Sequence, residues 1–129
     1  MPTKTKEIFE ASAPYNNQFQ GCATRALFVC SAGMLRSATA ATLGAQIALN
    51  TRCCGTEEYA LIPLTANLIL WADKIYFVHP LNYMHALDVF NVYPNLYDTI
   101  KKKAIVWEIE DEYDYMHPEL VNIISKLLP

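Results

Sequence analysis

Ala26-Leu27-Phe28-Val29-Cys30-Ser31-Ala32-Gly33-Met34-Leu35-Arg36-Ser37 carries an apolar run into a cysteine, then a short glycine-containing loop, then Arg-Ser at the head of an alanine-rich stretch. The run reads as a buried strand, and Ser37 to Leu49 as a helix. Where a strand, a tight loop and a helix start converge, backbone N–H groups can point at one oxyanion. Cys30 then stands at the base of that ring as a nucleophile, and Arg36 stands beside it as a cation.

Outward from this stretch, strands and helices alternate. Thr51 to Cys54 reads as a second strand ended by Gly55, Thr65 to Ala72 as a helix, and Lys74 to His79 as a third strand. Asn82 to Phe90 reads as a helix, Ala104 to Ile109 as a fourth strand, and Pro118 to Leu128 as an amphipathic helix begun by proline. The alternation predicts an α/β three-layer sandwich, with a central, mostly parallel four-stranded sheet flanked by helices. Residues 1–24 read as an irregular leader rich in turn formers, and 25–129 as a single domain. Ligands of such sheets bind beyond the carboxyl ends of the strands. The Cys30–Ser37 loop and the acidic stretch Glu108-Ile109-Glu110-Asp111-Glu112 are thereby expected on the same rim.

The chain has 129 residues, is 53% hydrophobic and carries a formal net charge of −3. That size suits one core, and the scattered basic residues give no footprint for nucleic acid. The run Lys101-Lys102-Lys103 reads as a solvated helix end. No apolar segment approaches the roughly 20 residues of a membrane span. Met1 to Glu10 lacks the apolar core of a secretory signal, so the four cysteines are expected reduced, in a cytoplasmic protein. Oligomeric state is not legible.

The residue types suit phosphoryl chemistry. Helix N-termini and neighbouring cations favour a thiolate, and the Ser37 hydroxyl can donate to the sulfur. The planar fork of arginine can grip two phosphate oxygens and follow them as phosphorus inverts. A leaving alkoxide or phenoxide needs a proton, for which Asp111 is the best-placed acid. Arg36 and the loop amides of Ser31, Ala32, Gly33, Met34 and Leu35 would supply the positive potential, so neither a metal nor another cofactor is expected. His79, His85 and His117 lack metal-ligand spacing and read as satisfied or surface residues.

Val29 to Ser37, with Cys54-Gly55-Thr56, Trp71-Ala72-Asp73, Asp111-Glu112-Tyr113 and His117-Pro118-Glu119-Leu120, resembles the low-molecular-weight protein tyrosine phosphatase family, and in particular small bacterial and phage members of that fold. The resemblance implies a metal-independent phosphatase acting on phosphotyrosine or similar phosphomonoesters, in a phosphorylated protein or a small molecule. Cys30 would form a phosphocysteine and Asp111 would act first as acid, then as base. Tyr113, the last member of the family's Asp-Pro-Tyr segment, would wall the pocket.

The chain departs from the family where a loop asparagine, braced by a serine on the second strand, is replaced here by Gly33 and Cys53. Gly33 can adopt a left-handed backbone without penalty, so the loop shape can survive. Ala38 replaces a usual proline after the serine. Two alternatives stand beside the phosphatase. An arsenate reductase would need Cys22, Cys53 or Cys54 to resolve its adduct by disulfide exchange. A phosphate- or phosphoprotein-binding module would keep the anion site without turnover.

Overall fold

A computed structural model describes residues 23–129. The leader expected over 1–24, and Cys22 with it, lies almost wholly outside the described residues. Strand β1 (Arg25–Cys30) is followed by helix α1 (Arg36–Gln46), β2 (Asn50–Gly55), α2 (Ala66–Trp71), β3 (Lys74–Phe77), α3 (Pro80–Val89), α4 (Pro94–Lys103), β4 (Ala104–Val106) and α5 (Pro118–Leu127). The sheet order is β2-β1-β3-β4 and every pairing is parallel.

Side chains of β1 alternate between two cores, because successive residues of a strand point to opposite faces. Ala26, Phe28 and Cys30 join Ala38, Ala41, Leu120 and Ile124 on the face covered by α1 and α5. Leu27 and Val29 join Ile69, Ala86 and Ile100 on the face covered by α2, α3 and α4. A strand buried on both faces reads as an unbroken apolar run, which is why Ala26 to Val29 was legible. Phe28 stacks on Tyr76 at 4.9 Å between ring centroids, and Trp107 lies 5.2 Å from Tyr76.

The expected elements are present with shifted ends. The fourth strand was expected to reach Ile109 and is regular only to Val106, yet the Trp107 and Ile109 N–H groups still donate to Phe77 O and Val78 O. That continuation carries the chain along the sheet to Glu110 and Asp111. Helix α4 was foreseen only as a lysine-rich helix end. Ile100 is its one fully buried residue, Leu96 packs partly buried against the same core, and Lys101, Lys102 and Lys103 form its last turn. No helix among the described residues is long and apolar enough to cross a membrane.

Candidate active site

The loop leaving β1 is held from outside by its carbonyls. Cys30 O, Ser31 O and Ala32 O accept from the N–H groups of Thr56, Glu57 and Leu61, all on the segment after β2. The N–H groups of Ser31, Ala32, Met34 and Leu35 donate to no acceptor among the described residues. A loop whose carbonyls are tied down and whose amides are unpartnered is a nest for an anion. Helix α1 continues it, since its N-cap residue, Leu35, provides no side-chain hydrogen bond.

Two polar groups converge on the thiol. The Gly33 N–H lies 3.1 Å from Cys30 Sγ, and Ser37 Oγ lies 3.0 Å from it. Gly33 makes this possible with φ of 72°, and a Cβ there would lie 2.9 Å from the backbone of Cys54 and Gly55. Cys53 Sγ donates to Gly33 O at 3.7 Å, so a thiol on β2 braces the loop in place of the expected serine.

Arg36 is buried, with its Nη1 donating to Ile109 O at 2.7 Å and its Nε 3.6 Å from Asp111 Oδ1. The Asp111 side chain is 64% exposed, so the pair joins a fixed cation to a carboxylate open to solvent. A cavity of about 200 Å³ sits here, lined by Ser31, Arg36, His79, Leu81, Asn82, Glu110 and Asp111. Cys30 itself is buried and is not among the lining residues, although its loop neighbours Ser31 and Arg36 are.

The structure thus brings Cys30, Ser31, Gly33, Arg36, Ser37 and Asp111 together. Ala32 is half-buried in the loop, Met34 is exposed, and Leu35 packs against the α1 core. Tyr113, expected to wall the pocket, does not line it. The chain turns at Asp114 to His117, where the His117 N–H donates to Asp114 O and the Met116 N–H donates to Thr39 Oγ1. That turn folds Tyr113 onto the core beside the His117 ring, 5.4 Å away, and buries Tyr115 with its hydroxyl 2.9 Å from Thr42 Oγ1.

His79 and Asn82 belong to the site and escaped sequence reasoning. His79 caps α3, its Nδ1 accepting from the Leu81 N–H at 3.1 Å, and its Nε2 lies 3.6 Å from Glu110 Oε1. Asn82 Nδ2 donates to Ser31 Oγ at 3.1 Å. The signal available was position, because His79-Pro80-Leu81-Asn82 leaves the carboxyl end of β3 on the same rim as the loop.

Burial, followed by the proximity of Cys53 and Cys30, pushes the Cys54 thiol well above its ordinary value. No group of three His, Cys, Asp or Glu side chains among the described residues is placed to hold a metal ion.

No protein-family model matches the chain, and no curated protein matches it in sequence. Among solved structures, the chain is similar to the crystal structure of a YwlE mutant from Bacillus subtilis, at 15% identity and a TM-score of 0.50, over 81% of this chain and 96% of that one. At that identity the likeness is one of fold, and the fold, a four-stranded parallel sheet between helices, is that of the low-molecular-weight protein tyrosine phosphatases.

Proposed function

We propose that the protein is a cysteine-dependent phosphatase that hydrolyses phosphotyrosine or similar phosphomonoesters through a phosphocysteine. The observation that carries this reading is the convergence of the Gly33 N–H and Ser37 Oγ on Cys30 Sγ, at the base of a loop with unpartnered amides. The fold of the YwlE structure supports it at a coarser level.

In the first step the Cys30 thiolate attacks phosphorus, forming the S–P bond as the P–O bond to the leaving group breaks. The loop amides and Arg36 hold the three remaining oxygens. One of the five guanidinium donors is committed to Ile109 O, which fixes the plane of the others. Asp111 gives its proton to the leaving oxygen. In the second step Asp111 takes a proton from water as the water attacks phosphorus, and the S–P bond breaks. Ser37 then donates to the departing sulfur, and phosphate is released.

The buried, high-lying thiol of Cys54 argues against that residue as the resolving cysteine of an arsenate reductase, since such a cysteine must form a thiolate readily. The test is hydrolysis of an aryl phosphate by wild type, Cys30→Ser and Asp111→Asn between about pH 5 and 8, without added metal. Activity abolished by the first change and reduced ~10²- to 10⁴-fold by the second is expected. Turnover that survives Cys30→Ser overturns the reading.

A further inference from the structure

Six of the seven residues that line the cavity beside Arg36 are polar or charged. Leu81 is the single apolar residue lining the cavity, and no phenyl, phenol or indole ring among the described residues lines it. The ring expected there, Tyr113, is folded away against His117. At about 200 Å³ the cavity is below the ~300 Å³ lower range of ordinary small-molecule pockets. A small substituent on a phosphoryl group held by Arg36 would lie against these side chains.

Two hydrogen-bonding groups, on His79 and Glu110, line the cavity within reach of that substituent. Asn82 is 4% exposed, and while its Nδ2 donates to Ser31 Oγ, its Oδ1 has no hydrogen-bond partner among the described residues. With its Oδ1 closed to solvent, Asn82 acts on the site through Ser31 rather than on a ligand. His79 Nδ1 accepts the Leu81 N–H, so the ring proton sits on Nε2. That Nε2–H and Glu110 Oε1 are 3.6 Å apart, too far for a good hydrogen bond of their own. A hydroxyl can accept from the one and donate to the other.

Resting on the phosphatase reading above, we propose that the preferred substrate is a small hydroxylated alkyl phosphomonoester, a polyol or sugar phosphate, whose hydroxyls pair with His79 and Glu110. A site built to hydrogen-bond a hydroxyl rejects the analogue that lacks it, because its own polar groups are then left unpaired. An aryl ring would offer no hydrogen bond to His79 or Glu110.

The experiment is a comparison of kcat/KM on the full chain for glycerol phosphate, glucose 6-phosphate, propyl phosphate and phenyl phosphate, each with the Cys30→Ser protein as blank. Glycerol phosphate and propyl phosphate share a primary alkoxide leaving group, so their ratio reports recognition of hydroxyls. The expected ratio is at least ~10-fold in favour of glycerol phosphate, expressed mainly in KM. Glu110→Gln, at a side chain 69% exposed and so without cost to the core, shrinks that ratio toward unity. Equal values for the two esters, with Cys30-dependent turnover of phenyl phosphate, overturn this proposal and leave the phosphatase standing. Absence of Cys30-dependent turnover of every ester overturns both.

Discussion

Ser37 Oγ lies 3.0 Å from Cys30 Sγ, in the first turn of the helix that follows the loop. The serine is fully buried, so this hydroxyl has the sulfur rather than water for company. Its donation matters most when sulfur departs from phosphorus. Ser37→Ala is expected to slow turnover ~10²-fold, the cost of removing one preorganised donor. The loss should fall on release of phosphate, so that rapid-quench kinetics show a burst of alcohol before a slow steady state. An unchanged rate would remove Ser37 from the mechanism.

Gly33 holds a left-handed backbone, with a Cβ position 2.9 Å from Cys54 C and Gly55 N. Neither backbone atom can yield without disturbing β2. Gly33→Ala should destabilise the fold by ~1–2 kcal/mol from the backbone alone, with further loss from the contact. Urea unfolding measures this, and an unchanged midpoint would contradict the loop geometry.

Asp73 ties the start of β3 to the start of β1. Its Oδ2 accepts from the Arg25 N–H at 2.9 Å, and its own N–H donates to Arg25 O. The Arg25 backbone N–H holds the Asp73 carboxyl below its ordinary value, with burial opposing and the Arg25 charge assisting. The stability this provides is present above the unfolded carboxylate pKa of ~3.9 and is lost as pH falls through the lower folded value. The side chain is 48% exposed, so the effect is screened. Asp73→Asn should cost less than ~1 kcal/mol at pH 7, and its difference from wild type should close below about pH 4. Urea melts at the two pH values read both numbers.

Ala48 follows α1 with φ of 66°, an uncommon conformation for a residue with a Cβ. Glycine adopts it freely, at a cost in unfolded-chain entropy that offsets part of the gain. Ala48→Gly is expected to raise stability by ~0.5–1 kcal/mol without touching the active-site loop. A lowered thermal midpoint would argue against this backbone.

The strand, loop and helix from Ala26 to Gln46 were legible because a doubly buried strand is an unbroken apolar run and because Cys30, Gly33, Arg36 and Ser37 keep fixed spacings along one segment. Asp111 could be placed on the rim by strand direction alone. Helix α4 was not legible beyond its lysines, because its apolar stripe is short, Leu96 and Ile100 alone between Pro94 and the lysine run. The site roles of His79 and Asn82 depend on what α3 packs against. His79 looked like any surface histidine until its Nδ1 was seen capping α3, with Nε2 left facing Glu110. The direction of Tyr113 is set by the turn at Met116, whose φ of 59° no local pattern announces.

The central claim is a covalent phosphoryl group on Cys30, and acid quench of the Asp111→Asn protein during turnover of phenyl phosphate, followed by peptide mass analysis, tests it most directly. The account predicts one phosphoryl group on the peptide containing Cys30, lost in the Cys30→Ser, Asp111→Asn double variant. Turnover of the ester with no phosphorylated Cys30 peptide at any quench time would contradict it.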